Sequence, residues 1–276
     1  MLCFANKMRD AIRRSPASLR AFVDHLQSRG RYTFTREEAR SALHVSAVAL
    51  QASARRLLQR ARLAAPRRGF YVIVPLEYRA AGAPPPSWYV DDLMRAARRP
   101  YYVALLTAAS LHGAAPQQPQ EFQVMTDVPL RIARAGRSTL RFFVKGNLGP
   151  TPVQVLKTET GGVRVSTAEA TAFDLVGYPE AAGHLGNVAA VLEALAERLD
   201  AKKLAIAGDL VKLPVVQRAG YLLDRAGHRK LTELLHRRSL RRGPRPVGLR
   251  TGVSPVKSRL DGRWRVLVNQ VMERDE

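Results

Sequence analysis

The sequence predicts an α+β protein, with an N-terminal three-helix unit closed by a β-hairpin and a larger mixed α/β domain behind it. Three observations carry that expectation. Two helix-start signals stand close together ahead of a basic turn within residues 33–74. A Pro-rich stretch, residues 80–87, interrupts the chain soon afterwards. Beyond it, helical and strand-like patterns follow one another without any repeat.

Residues 1–17 carry Arg13, Arg14 and Pro16 and read as a basic, flexible arm. Ser18 to Arg29 reads as a helix, with Leu19, Phe22, Val23 and Leu26 on one face at i, i+3, i+4, i+7 spacing. Gly30 ends it, because a left-handed residue closes a helix most cheaply as glycine. Thr35 followed by Glu38 is a capping box and starts a short helix to about Leu43. After a turn at His44 and Val45, Ser46 caps a further helix to about Arg62. Leu50, Ala54, Leu57, Leu58 and Ala61 fall on its inner stripe. Its opposite face carries Val48, Ala49, Ala52, Arg55, Arg56 and Gln59. Pro66-Arg67-Arg68-Gly69 is a basic turn between Leu63-Ala64 and the apolar run Phe70 to Val74, which is the pattern of a β-wing.

Together these elements form a winged helix-turn-helix over residues 18–79, and its expected partner is double-stranded DNA. The small residues let the second helix sink into a major groove. Arginine there can pair with guanine, glutamine with adenine, and valine or alanine can touch a thymine methyl. Ser46, Val48, Ala49, Ala52, Arg55, Arg56 and Gln59 are therefore the candidate reading residues, with Arg67 and Arg68 on the wing. A solvated polar face is the bland alternative for the same residues. The capped helix before them and the basic hairpin behind them argue against it.

The charge agrees with this reading. The chain has 276 residues and a net charge of +22. Residues 1–74 hold fifteen Lys/Arg against four Asp/Glu, and residues 225–276 hold fourteen against five. The middle, residues 75–224, is nearly balanced at sixteen against fourteen. Basic ends suit phosphate contact through counterion release. Arg237, Arg238, Arg241, Arg242 and Arg245, with Arg250 beyond, form a second basic run in a Gly/Pro-containing segment. It is a candidate phosphate clamp, a docking surface for an acidic partner, or a solvated loop.

Residues 80–87 read as a linker, which places the second domain at 88–276. Tyr89 to Arg99 and Tyr101 to Leu111 have helical patterns, broken at Pro100. Glu121 to Thr126 and Leu140 to Val144 read as strands. Pro152 to Lys157 and Val163 to Ser166 flank a hairpin turn at Thr160-Gly161-Gly162. Helices follow at about Thr167–Val176, Val188–Arg198, Val215–Ala226 and Arg229–His236, then a β-like piece at Trp264 to Val268.

No cofactor, metal or catalytic site is expected. Cys3 is the single cysteine, which excludes an intrachain disulfide and suits a reducing cytosol. The six histidines are scattered, and there is no GxSxG, P-loop or GxGxxG motif. No apolar run approaches the ~18 residues of a membrane span. The start also lacks the apolar core of a secretory signal, so a cytoplasmic protein without a membrane partner is expected. Glu169 and Asp174 are the most tempting carboxylates, but Ser166-Thr167-Ala168-Glu169 reads as another capping box. Asp127, with Lys145 or Lys157, is the other candidate. A metal-dependent nuclease would need several convergent acids, and the neighbouring strands supply few. The nuclease and a ligand-sensing regulator remain the alternatives to a plain DNA-binding protein.

Several phrases resemble the AbiEi family, the antitoxin and autorepressor of type IV toxin–antitoxin (abortive infection) systems. They are Tyr101-Tyr102-Val103-Ala104-Leu105-Leu106-Thr107-Ala108-Ala109-Ser110-Leu111-His112-Gly113, Gln118-Pro119, and Phe122-Gln123-Val124-Met125-Thr126. Val165 to Val176, Gln217 to Leu223 and Trp264 to Asn269 follow in order. The resemblance implies a non-enzymatic bacterial protein whose N-terminal winged helix binds repeats in its own promoter. It also implies a C-terminal domain that counteracts a nucleotidyltransferase toxin, without requiring a stable complex. The long Arg-rich tail and the arm before Ser18 depart from many members.

Overall fold

The computed structural model describes residues 16–114, 119–254 and 258–270. The basic arm expected at 1–17 lies almost wholly outside them. The fold is mixed α/β, with ten α-helices, two three-stranded sheets and one six-stranded sheet among the described residues. No helix among them is long and apolar enough to cross a membrane.

The chain divides into two compact units. Among the described residues the first comprises 16–99, 131–141 and 157–163. Its helix α1 (Leu19–Ser28) is capped by Ser18, whose Oγ accepts from the Ala21 amide at 3.2 Å. Gly30, at φ +71°, ends it in a Schellman turn in which the Arg31 amide donates to the Leu26 carbonyl. Strand β1 (Thr33–Thr35) leads into α2 (Arg36–Leu43), His44 turns left-handed at φ 52°, and α3 spans Ala47–Gln59. The Thr35 Oγ1 accepts from the Glu38 amide at 3.1 Å, but the Glu38 carboxylate pairs with Arg31 rather than reaching back. Only half of the expected capping box is therefore made. Strands β2 (Leu63–Arg67) and β3 (Phe70–Ile73) complete an antiparallel sheet ordered β1-β3-β2. Leu19, Phe22, Val23, Leu26, Phe34, Leu50, Ala54, Leu57 and Ile73 make one buried cluster beneath these elements. Phe34 stacks on Tyr71 and meets Phe22 edge-on.

Residues 80–87, expected to join two domains, lie inside this first unit. Proline keeps them out of α-helix and strand, although Pro86 opens a short 3-10 turn (Pro86–Trp88), and it does not keep them from packing. Ala83 is buried, and Trp88 touches the rings of both Tyr32 and Tyr78. Helix α4 (Val90–Ala96) follows, with its Asp92 carboxylate accepting from the Thr33 hydroxyl. The same unit takes in a hairpin from far along the chain: β6 (Ala133–Ala135) and the first part of β7 (Ser138–Val144).

The large sheet runs β6-β7-β5-β4-β9-β8, with β4 at Tyr101–Val103, β5 at Phe122–Thr126, β8 at Val153–Thr158 and β9 at Gly161–Ser166. Tyr101–Val103 was expected to be helical. These residues instead pair antiparallel with β5 and parallel with β9, and extended Ala104 separates them from α5 (Leu105–Leu111), whose first residue stands at φ 55°. A three-residue strand buried on both faces has no alternation to distinguish it from a buried helical turn.

The second unit holds the remaining helices: α6 (Ala168–Gly177), α7 (His184–Ala196), α8 (Ala201–Asp209), α9 (Leu213–Arg225) and α10 (Arg229–Leu240). Every residue of α6 from Ala168 to Val176 is buried, which makes it the central helix. Its cap is Thr167, not Ser166, and Thr167 Oγ1 accepts from the Ala170 amide. A small tail sheet, β10-β12-β11 (Val247–Gly248, Val266–Val268, Arg259–Asp261), closes the fold. It is anchored by Trp264, which is 1 % exposed and packs face to backbone on Gly220 of α9.

Candidate nucleic-acid interface

Helix α3 is set by its two ends. Ser46 Oγ accepts from the Ala49 amide at 3.2 Å, and at the other end the Arg62 amide donates to the Leu57 carbonyl around left-handed Ala61. Because Leu50, Ala54 and Leu57 are buried, the opposite face must point to solvent. Ser46, Val48, Ala49, Ala52, Arg55, Arg56 and Gln59 are all exposed there. Val48 is 78 % exposed, which leaves its methyl groups open to an apolar contact. Of the arginines, Arg56 donates to the Ser53 hydroxyl at 3.0 Å.

The β2–β3 turn narrows to Arg68 and Gly69, with Gly69 at φ +81°. Arg67 and Arg68 are both exposed. With Arg36 at the start of α2 they line a cleft of about 470 Å³, whose floor includes Phe70 and Leu93. The Arg36 amide donates to the Gly69 carbonyl at 2.8 Å, which ties the wing tip to the helix start. Chemically, this face offers guanidinium groups beside small and apolar side chains, which is what a groove edge and a phosphate require.

The C-terminal arginine run has a different character. Arg237 and Arg238 sit in the last turn of α10 rather than in a loop. Arg238 pairs with Asp209, and Arg237 lies 3.8 Å from Glu233. The Arg242 guanidinium donates to the Gly208 and Val211 carbonyls at 3.0 and 2.8 Å, closing the C-terminal end of α8. Arg241 and Arg245 stay exposed, and the Arg245 carbonyl accepts from Gln217. Three of the five are thus committed to helix ends and acids. The sequence run concealed this for Arg238 and Arg242 because their partners lie 29 to 34 residues away.

The acidic candidates also separate. Asp174 is 3 % exposed and accepts from Lys145 Nζ at 2.7 Å and from the Tyr102 hydroxyl at 2.9 Å. Lys145 is therefore a partner of Asp174. Burial raises the Asp174 carboxyl above the usual range, against the pull of Lys145 and Tyr102. Burial and then the neighbouring carboxylate raise the Tyr102 phenol. Glu169 is also buried and accepts from the Asp200 amide at 3.2 Å, which links α6 to the cap of α8. Among the described residues no three His, Cys, Asp or Glu side chains converge as a metal site would need.

Side chains from several of the phrases quoted for the family resemblance make hydrogen bonds between segments of the second unit. Gln123 Oε1 accepts from the Leu106 amide, an orphan donor at the start of α5, and its Nε2 donates to the Ala181 carbonyl. Thr107 Oγ1 accepts from the Gln123 amide, His112 Nε2 lies 2.8 Å from the Ser166 carbonyl, and the Ser166 and Thr171 hydroxyls meet at 2.7 Å. Gln217 Nε2 donates to the Arg245 and Trp264 carbonyls. Those segments hold the fold of this unit together.

One group escaped the sequence reading. Arg131, Arg134 and Arg137 are exposed on the β6–β7 hairpin of the first unit. The signal was available, since residues 128–144 contain four Arg and no acid. It was averaged away inside a nearly neutral middle.

Residues 102–225 match the family described as the AbiEi antitoxin C-terminal domain, somewhat less than half of the chain. The late phrase Trp264 to Asn269 lies outside that match. Among solved structures, the RV2827C protein from Mycobacterium tuberculosis aligns with a TM-score of 0.64, 18 % identity and 89 % of both chains covered. At that identity the likeness speaks for the fold alone. No curated protein matches the chain.

Proposed function

From the match of residues 102–225 to the AbiEi antitoxin C-terminal domain, we propose that the chain is a DNA-binding autorepressor that acts as the antitoxin of a type IV toxin–antitoxin system. The first unit is read as a winged helix-turn-helix at residues 18–79, preceded by a basic arm, with the antitoxin domain and basic tail behind it. The observation that carries the DNA-binding part is the exposed face of α3, where small residues and Val48 stand beside Arg55, Arg56 and Gln59. That face would lie in a major groove while Arg67 and Arg68 hold phosphates. Repression would follow from occupancy of repeats in its own promoter. The cognate toxin would be a nucleotidyltransferase, countered in the cytoplasm without enzymatic activity of this chain.

The test is binding of the purified chain to the duplex upstream of its gene and to a scrambled duplex at physiological salt. Preference for the first is expected, and equal affinity for both would sink the specific repressor. Arg55→Ala and Arg56→Ala should each cost about 1–3 kcal/mol of discrimination where they contact a base. Expressing the chain beside its toxin should restore growth, and an unrelieved arrest would remove the antitoxin part.

A ligand-sensing regulator has one observation in its favour. A cavity of about 310 Å³ in the second unit is lined by Arg218, Arg250, Thr251 and Gln270, over apolar Leu185 and Leu249. Among the described residues nothing donates to the buried Gln270 Oε1 there. Thermal shifts with small carboxylates and phosphates test it, and a flat response across that panel would exclude it.

A further inference from the structure

We propose that the β6–β7 hairpin is a second DNA contact, which grips duplex phosphates beside the stretch read by α3. The inference rests on the DNA-binding reading above and adds a surface to it.

The first observation is charge without neutralisation. Arg131, Arg134 and Arg137 are exposed, and none of them forms an ion pair among the described residues. Elsewhere the chain pairs its arginines readily: Arg31 with Glu38, Arg62 with Asp24, Arg95 with Asp91, Arg263 with Asp224. Three like charges on one short hairpin repel one another unless a polyanion lies over them.

The second observation is that the hairpin is fixed to the first unit. Ala133 and Ala135 are buried while Arg134 between them is exposed, as strand alternation requires. Strand β6 packs against β2, the wing strand that carries Arg67. The Arg137 amide donates to the Ala81 carbonyl at 2.8 Å. At Gly136, φ +54°, an added Cβ would lie 2.1 Å from the Ala81 oxygen. At Gly82 it would lie 2.7 Å from the Gly136 Cα. Only glycine permits that backbone-to-backbone approach. The backbone that carries the cations is therefore held in place before any partner arrives, which lowers the entropy cost of binding.

The third observation selects the partner. Ile132 is the one large apolar side chain exposed on residues 131–137, so the surface lacks the aromatic or aliphatic cluster of a protein hot spot. Arginines adjoining a basic wing strand match a phosphate backbone instead.

The test uses the full chain, the upstream duplex and the scrambled duplex across a salt series. Replacing Arg131, Arg134 and Arg137 together by Ser should weaken both duplexes by the same factor, leaving sequence preference intact. The slope of log K against log salt should fall by about 0.9 for each lost phosphate contact. Replacing the three by Lys should keep the slope. If the Ser variant unfolds, the single variant Arg134→Ser and a hydroxyl-radical footprint of the unaltered chain stand in. The footprint should show protected sugars beyond those covered by α3 and the wing, and the single variant should shrink it. A folded Ser variant with unchanged slope overturns the hairpin contact while wild-type sequence preference leaves the repressor standing. A wild type that binds neither duplex overturns both.

Discussion

At the scale of single residues, Ala61 takes a backbone conformation that its side chain disfavours. It closes α3 at φ 49°, where glycine stands at the end of α1. Holding an L-residue left-handed costs roughly 1–2 kcal/mol, partly offset by the greater freedom that glycine loses on folding. Ala61→Gly should therefore raise stability by about 1 kcal/mol in denaturant unfolding, with DNA affinity unchanged; a loss of stability would mean the alanine methyl packs more than it strains. The caps Thr35 and Ser46 were legible because a cap is local, with its acceptor and its amide three residues apart. The Lys145–Asp174 pair was not, because 29 residues separate its members and Asp127 was an equal candidate by sequence. That pair carries a pH prediction. A carboxyl raised above its ordinary value of 3.8 binds its proton more tightly when folded. Its contribution is full below that value and is lost as pH rises through the raised folded value. Lys145→Met removes the charge that opposes the rise, so the loss should extend to higher pH. Near neutrality the cost should be about 3–5 kcal/mol, as for other half-broken buried pairs. Adding Asp174→Asn should flatten the pH profile and recover part of that stability. A Lys145→Met variant with the wild-type pH profile would show that Asp174 does not titrate in this range.

At the scale of elements, amphipathic helices were legible and short buried strands were not. Leu213–Arg225 presents Val216, Ala219, Leu222 and Leu223 at helical spacing, so its period declares it. Tyr101–Val103 is buried throughout, and a run without alternation gives no period to read. Ala201–Asp209 went unread although Asp200 caps it through the Lys203 amide, because the segment spans barely more than two turns and ends on a glycine–aspartate pair. The joint between α9 and the tail sheet depends on one missing side chain. A Cβ at Gly220 would come within 2.3 Å of the Trp264 ring, and Trp264 is held besides by its Nε1 bond to Asp224 and by the edge of His236. A buried indole with a fixed hydrogen bond has little room to retreat. Gly220→Ala should destabilise by about 1–3 kcal/mol, the usual cost of overpacking. It should also red-shift the tryptophan emission as the ring moves toward water. An unchanged spectrum would mean the helix, rather than the ring, gives way.

At the scale of the whole molecule, a net charge of +22 describes two populations of arginine that the sequence cannot separate. Arg238 and Arg242 near the C-terminus have acid or carbonyl partners, whereas Arg67, Arg68, Arg131, Arg134 and Arg137 form no ion pair among the described residues. Partnering arises from tertiary contacts with Asp209, Gly208 and Val211, which is why an Arg-rich phrase alone misdirects. The two populations should answer to different measurements. Arg242 supplies a cation and two donors to the exposed carbonyl end of α8, a contribution of about 1 kcal/mol. Arg242→Ser should lower the unfolding midpoint and leave the salt dependence of DNA binding as it was. Arg68→Ser should do the reverse, lowering the slope of log K against log salt by about 0.9 with the midpoint unmoved. Measuring both quantities on both variants gives a crossed result that neither stability loss nor simple charge removal can imitate. If Arg242→Ser also reduces the salt slope, the tail lies within the DNA footprint, and the division between partnered and free arginines fails as a guide to function.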